Sequence, residues 1–438
     1  MIKKVCFLVA VSVSSYMFSQ NNVREKLAAY LDSLNVHHKT MGSFAFATNS
    51  DTPTFLKVTG YSDAEKQLKA NINTQYRIGS ITKTFTAVLV MKAVEDKKLL
   101  LSDKLSLFFP QIPNADKITI QDMLQHRSGI HNLTDEEDFI NIYTKPQTND
   151  QLVAFIQQYA SDFSPGTKYA YSNSNYILLG LILEKIYKKP YADLVQDKIT
   201  KPLRLISTKV GDRIDTSKNQ AKSYRYVGVY QPFPETDMSV PIGAGNIVST
   251  PTEMIKFIIA LENGKLISKN SLKLMKSFKD DYGYGLVKND FEQLSGYGHE
   301  GAIDGFQSAL YYFPESQIAV SFVTNQSNDD GSILRNMMNV AMGKGFDMPD
   351  FKEVKVNEKI LKKYEGLYKA KGFPLDIKIF VENGMLNGQA TGQGAFPLKA
   401  VSETEFEFEI SGIKIMFDAA KNTMDFSQGG NKTIFTKQ

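Results

Sequence analysis

The sequence predicts an α/β fold: an antiparallel-sheet sandwich flanked by helices, interrupted by an all-helical insert and followed by a small C-terminal all-β domain. Three observations predict it. Strand-like runs stand before about Ile81 and return after about Ile206, with little regular strand between, so a helical segment interrupts a sheet. From about Pro349 the pattern changes to short alternating runs separated by turns. At 438 residues the chain exceeds one compact core and suits two or three units.

Taken in order, Met1-Ile2-Lys3-Lys4 and the apolar run Val5 to Val13 read as a secretory signal cleaved near Ser19 and Gln20. The run is too short to span a bilayer, and no other stretch is long and apolar enough. The expected division is a signal at 1–19, a main domain at 20–345 and a C-terminal domain at 349–438. The product is an exported protein, periplasmic or extracellular. Cys6, the only cysteine, falls in the signal too early to carry a lipid, so the mature chain has no thiol for a disulfide or for catalysis. The formal charge of +4, or +2 without Lys3 and Lys4, excludes nucleic acid as a partner.

After the signal, residues 22–35 have helical spacing, with Leu27, Tyr30, Leu31 and Leu34 on one side. Gly42–Thr48 and Thr54–Tyr61 read as paired strands. Gly79 to Met91 is an apolar helix opened by Ser80. Ile118 to Ile130 predicts a helix ending in a glycine-containing turn, and Pro165-Gly166 a further turn. Tyr171 to Asn175 is a polar turn before a helix over Tyr176–Tyr187. The aromatic, turn-rich stretch Tyr224 to Pro241 suits the lining of a substrate entrance. Gly243 to Glu253 is a glycine-rich strand leading to a capped helix. Gln307–Phe313 and Ile318–Thr324 are strands, and Leu375–Val381 and Glu405–Ile410 typify the C-terminal module.

Chemistry concentrates at a few places. Ser80 and Lys83 lie three apart at a helix start, where a neutral lysine can take the serine proton and free N–H groups can hold an oxyanion. A second serine–lysine pair, Ser411 and Lys414, falls in alternating strand, where residues three apart face opposite sides; Ser411 is structural. Taken alone, Ser80 is equally a helix cap. Tyr171 and Asn173 project from one turn: Tyr171 can relay a proton, and Asn173 can hold Lys83 or a substrate carbonyl, although Tyr-Ser-Asn is also ordinary turn chemistry. His299 can donate to substrate or to Tyr171, or be satisfied within its own turn. Gly301 lets backbone approach closely, and the Ala302 N–H can join that of Ser80 as an oxyanion donor.

Together, Ser80-Ile81-Thr82-Lys83, Tyr171-Ser172-Asn173 and His299-Glu300-Gly301 resemble the S-x-x-K, Y-x-N and H/K-x-G motifs of the class C serine β-lactamase and penicillin-binding protein superfamily. The resemblance covers roughly residues 25 to 330, and the tail is similar to the barrel-like modules of D-aminopeptidase-like members. It implies acyl transfer: Ser80 attacks a carbonyl, Lys83 and Tyr171 share general-base and relay duty, Asn173 positions, and water releases the acyl group. The expected activity is an exported serine hydrolase of amide or ester bonds, D-amino-acid peptidase or carboxypeptidase-like. Alternatives are an esterase or true β-lactamase of the same fold, or a catalytically silent binding protein. Glu300 stands where β-lactamases carry threonine and would repel a substrate carboxylate if it faced the cleft.

The implied partner is a small peptide, amide or ester. No cofactor is called for. His126 and His131 lack the spacing of a metal pair, so no metal is expected either. Asp135 to Asp138 is a solvated charge run, the absence of G-x-S-x-G argues against an α/β-hydrolase, and nothing sets an oligomeric state.

Overall fold

The computed structural model describes residues 21–327, 331–349, 354–382, 384–408, 411–428 and 431–438, so the signal at 1–19 lies outside the described residues. The chain divides into two compact units, one ending at Asp347 and one running from Met348 to Gln438.

The first unit is built on a six-stranded antiparallel sheet. Its strands run Val287–Phe291, Leu294–Ile303, Phe306–Phe313, Ile318–Ser327, Thr40–Thr48 and Phe55–Thr59 across the sheet. Within this sheet the first strand in chain order therefore pairs with the last, Thr40 opposite Ser327, and everything between residues 60 and 286 is an excursion from it. Thr40–Thr48 is buried along nearly its whole length, as expected of an inner strand covered on both faces. The helices Pro251–Glu262 and Ser332–Ala341 pack against it, and the helix at 21–36, which buries Leu27, Tyr30, Leu31 and Leu34, meets Ser332–Ala341 through Tyr30 Oη and Ser332 Oγ, 2.8 Å apart.

The helices Thr82–Glu95 and Pro251–Glu262 stack through Phe85 and Phe257, ring centres 3.8 Å apart. Thr82–Glu95 is apolar around most of its circumference because the helical insert packs on its far side, including the helix Asn173–Tyr187. Among the described residues no strand lies between Arg77 and Lys209.

Three local expectations are corrected. The helix expected over Ile118–Ile130 is only Ile120–Leu124. A capping box of Thr119 and Asp122 starts it, and His126, at φ +54°, turns the chain away so that His126 and Ser128 can be buried. Asn173 lies not in a turn but at the first position of the following helix. Ser80 sits in a 3₁₀ turn, Gly79–Ile81, that runs directly into its helix, two residues ahead of the first helical position Thr82.

The second unit is a closed eight-stranded antiparallel barrel from Gly366 to Lys437, its last strand pairing with its first at Tyr368 and Lys437. Side chains alternate along each strand. In Ile413–Asp418, Ile413, Ile415 and Phe417 point inward and Lys414 and Met416 outward. Aromatic rings fill the interior, with Tyr364 stacked on Phe417 at 4.3 Å. Ser411 is exposed beyond the strand Glu405–Phe408, and Lys414 faces out, so this second serine–lysine pair has no buried amine. Residues 409 and 410 of the expected Glu405–Ile410 strand lie outside the described residues.

Candidate active site

A small antiparallel sheet of Tyr76–Arg77, Ile247–Ser249 and Lys209–Val210 sets the Ser80 turn in place. Ile78 N–H donates to Ile247 O at 3.0 Å, and Ser308 Oγ donates to Ile78 O at 2.8 Å. The turn is thereby tied on two sides.

The strand Leu294–Ile303 reaches this turn through backbone alone. A Cβ on Gly301 would lie 2.0 Å from Ile78 O, and one on Gly79, at φ +50°, would lie 2.8 Å from Ala302 N. The hairpin closes on the pair Ile303 and Phe306, and hydrogen-bonded pairs alternate along an antiparallel ladder, so the Ala302 N–H points away from its partner strand. It faces the Ser80 turn. Ser80 N–H, in the opening turn, has no helical carbonyl behind it, so the two N–H groups can converge on one oxygen.

Around Ser80 the hydrogen bonds close as a set. Its Oγ lies 2.9 Å from Lys83 Nζ and accepts from Tyr171 Oη at 2.8 Å. Lys83 Nζ also reaches Asn173 Oδ1 at 2.8 Å and Ala244 O at 2.9 Å, both obligate acceptors here. Lys83 has no exposed surface, and burial lowers its pKa well below the ordinary 10.5, favouring the neutral amine. A neutral amine has two hydrogens and one lone pair. The hydrogens go to Asn173 and Ala244, leaving the lone pair for the Ser80 hydroxyl. Tyr171 is buried too, which raises its pKa above 10, the bond to Ser80 opposing only in part. Tyr171 is therefore a neutral donor to Ser80.

His299 is placed otherwise than expected. It is 4% exposed, and its Nε2 meets Tyr282 Oη at 2.9 Å, not Tyr171, whose ring centre is 6.4 Å away. Its Nδ1 donates to Glu300 O at 2.5 Å, so Nε2 accepts from Tyr282. Burial above all brings its pKa down to about 3, and the ring is neutral. Glu300 is exposed on the opposite side of the strand and lies outside the cleft, which corrects the argument built on its charge.

The cleft holds about 430 Å³, with Ser80, Asn173 and Ala302 at its base. Leu133, Phe139 and Ile177 of the insert form one wall, and Phe233 and Pro241 the other, so the Tyr224–Pro241 stretch contributes to the entrance as its composition suggests. Asp304 is its one charged lining residue among those described, and no lysine or arginine lines it. Lys83, Tyr171 and His299 stand behind it.

Sequence reasoning missed the residues that hold this set in place. His126 is buried with its ring centre 4.3 Å from that of Tyr171; its Nδ1 accepts from Ser172 N–H at 3.1 Å, and burial lowers its pKa well below 6.5. Arg77, 1% exposed, binds Asp304 at 2.8 Å and Glu235 at 2.6 Å. One signal was available: an arginine between Tyr76 and Ile78, in a run leading directly to Ser80, is a charge in an apolar setting.

These features are those of a known family. The family model described as Beta-lactamase matches residues 21–341. The chain belongs to the Beta-lactamase family. The teichoic acid D-alanine hydrolase of Staphylococcus aureus is 31% identical over 281 residues, covering 62% of this chain and 67% of that protein. In another strain the match covers 54% and 60%, so the chain spans roughly two thirds of these relatives or less. Among solved structures, the D-amino acid amidase of Ochrobactrum anthropi, complexed with L-phenylalanine, has a TM-score of 0.65 at 26% identity, covering 74% of this chain and 98% of that one. The octameric penicillin-binding protein homologue of Pyrococcus abyssi gives 0.64 at 25%, over 94% and 99%, and so spans both units here.

Two predictions arise from this geometry. Gly301→Ala forces the strand end off Ile78 O, and a displacement near 1 Å costs about 10²-fold in kcat/KM. Steady-state kinetics on folded protein checks it, and an unchanged kcat/KM would show that the backbone approach is dispensable. The second concerns the Leu133 wall. His131 Nδ1 meets Asp162 at 2.7 Å and Nε2 meets Glu136 at 2.8 Å. Burial lowers its pKa, but the two carboxylates outweigh burial and hold it above 6.5. Because the folded value is the raised one, this stabilisation is complete below pH 6.5 and lost as pH rises through the raised value. The melting-temperature gap between wild type and His131→Gln should narrow accordingly; a gap constant with pH contradicts it.

Proposed function

We propose that the chain is an exported serine hydrolase that cleaves D-aminoacyl amide or ester bonds through an acyl-enzyme on Ser80. One observation carries the reading: Ser80 Oγ lies at the base of the cleft between a buried, neutral Lys83 amine and the Tyr171 hydroxyl. In the proposed reaction Oγ attacks the substrate carbonyl as its proton passes to Lys83 Nζ. The Ser80 and Ala302 N–H groups hold the oxyanion, and the amine or alcohol leaves with a proton. Water then attacks the ester, and Ser80 regains its hydrogen. Lys83 is the base on this reading, because burial favours its neutral form and disfavours the Tyr171 phenolate. Tyr171 donates toward Oγ and the leaving atom.

The charge of the cleft supports an acyl group bearing an ammonium. No lysine or arginine lines the cleft to receive a substrate carboxylate, Lys83 behind it is neutral, and its one charged lining residue among those described is the Asp304 carboxylate, paired with Arg77. A carboxylate-terminated peptide or β-lactam meets such a lining unfavourably. The objection first attached to Glu300 thus passes to Asp304. The relatives named for D-alanine and D-amino acid hydrolysis support the same class. A complete and hydrogen-bonded acylating set favours an enzyme over a silent binding protein, and the N-terminal signal pattern supports export. The unit ending at Asp347 is the proposed hydrolase domain and the barrel an accessory one.

The test is a substrate panel on the purified protein: D-amino-acid amides, D-alanyl esters, p-nitrophenyl esters, D-Ala-D-Ala peptides and nitrocefin, with mass spectrometry locating a fluorophosphonate adduct. Turnover of the ammonium-bearing amides or esters and an adduct on Ser80 are expected. Preference for the carboxylate-bearing substrates, or a folded protein inert to every probe, overturns the reading.

A further inference from the structure

Behind Asn173 stands Asn132, 8% exposed and the cap of the 3₁₀ turn Leu133–Asp135. Its Nδ2 donates to Asp135 Oδ1 at 2.7 Å and to Thr134 Oγ1 at 2.9 Å. A carboxylate cannot donate, so this amide has one orientation, with Oδ1 toward Asn173. There Oδ1 accepts twice, from the Asn173 backbone N–H at 2.9 Å and from Asn173 Nδ2 at 3.3 Å; Thr134 Oγ1 also accepts from Nδ2, at 3.2 Å. The Asn173 amide is thereby oriented in turn. Its nitrogen must face Asn132 and its oxygen must face Lys83.

The consequence reaches Ser80. With Asn173 Oδ1 and Ala244 O taking both hydrogens of a neutral Lys83, the remaining direction at Nζ is that of Ser80. Were Asn173 reversed, its NH₂ would compete for the lone pair that Ser80 needs. We propose that Asn132 is a positioning residue for acylation, orienting the Asn173 amide so that the Lys83 lone pair faces the Ser80 hydroxyl. The inference rests on the reading of Ser80 as nucleophile and Lys83 as base.

Asn132→Leu removes both polar ends at similar size, and Asn132→Asp keeps the acceptor but adds a negative charge. The other titratable groups facing Lys83 are Tyr171 and Tyr176, whose pKa values burial raises, and His126 and His299, whose values it lowers; all four are neutral. A carboxylate at position 132 also faces Asp135, 2.7 Å from the Nδ2 it replaces, so the two carboxyls hold one proton between them at low pH; once that proton is lost, the added charge favours the ammonium form of Lys83.

Both variants are assayed with the best amide or ester of the panel, as kcat, KM and kcat/KM against pH, beside melting curves. Asn132→Leu should lower kcat by about 10- to 100-fold while KM changes by less than about threefold. Asn132→Asp should move the acidic limb of kcat/KM to higher pH. A purely capping role would lower the melting temperature and leave both readouts alone. A folded Asn132→Leu with wild-type kcat, or an unshifted limb in Asn132→Asp, overturns the proposal. If Asn132→Leu does not fold, the limb of Asn132→Asp decides. The fluorophosphonate adduct separates the two levels: no adduct on Ser80 in the wild type defeats the reading of the site, whereas wild-type labelling kinetics in both variants defeats only the role of Asn132.

Discussion

With Lys83 replaced by methionine, Ser80 is expected to resist acylation and kcat/KM to fall by roughly 10³- to 10⁴-fold, the upper range for loss of a general base. The physical reason is local. Tyr171 is the other group touching Oγ, and it already donates there, with burial holding its proton in place. Among the described residues no second acceptor bonds Oγ. The pH dependence carries the same sign. Burial lowers the Lys83 pKa, the active form is the free amine, and so kcat/KM falls as pH drops through that lowered value. Stability moves the opposite way. Below pH 10.5 the unfolded chain binds a proton at Lys83 that the folded chain resists, so folding at neutral pH works against this residue. Methionine removes that cost and leaves two carbonyl oxygens short of a donor, so the variant should melt close to the wild type. Fluorophosphonate labelling across pH checks the prediction. Wild-type labelling in Lys83→Met, or the same acidic limb in its residual activity, would transfer the base to another group.

That the site could be anticipated at all comes from its local spacings. Ser80 and Lys83 meet because residues three apart share a helical face, and Tyr171 and Asn173 reach one site because they are two apart where a helix begins. The start of that helix was less legible. Ser172, Ser174 and Asn175 are turn formers by habit, yet here Ser174 Oγ donates to His131 O at 2.7 Å and Asn175 Oδ1 accepts from Ser128 at 2.6 Å. A buried polar network drew Ser174 and Asn175 into the helix, with Ser172 left as its extended cap, and the network's partners lie more than 40 residues away. His299 shows the same limit. Strand alternation separates its face from that of Glu300, but the tyrosine it meets is Tyr282, and only the fold brings the two together. The barrel was easier, because each strand carries its own in-and-out pattern, as Ile413 to Phe417 does.

The hardest feature to read, and the one with the largest expected effect on stability, is Arg77. Its partner Asp304 lies 227 residues away, and both side chains are nearly inaccessible, at 1% and 3%. Arg77 also donates to Thr236 O at 2.8 Å and Asp212 O at 3.2 Å, joining the strand before Ser80 to the hairpin after Ala302. Arg77→Met strands the Asp304 carboxylate in a buried setting, kept only by the Thr236 N–H at 3.1 Å and Oγ1 at 2.6 Å. Breaking a buried pair from one side typically costs about 3–5 kcal/mol, a large part of the roughly 5–15 kcal/mol that holds a domain folded. Glu235→Gln should cost far less, about 1 kcal/mol or below, because its side chain is 30% exposed and water can replace the lost charge contact. The double variant Arg77→Met with Asp304→Asn separates charge from packing. If the unpaired carboxylate is the cause, the second change recovers much of the loss and the two effects are strongly non-additive. Chemical denaturation of the wild type, both single variants and the double variant measures this. Simple additivity would mean that Arg77 acts through its volume and its bonds to backbone carbonyls rather than through its charge on Asp304.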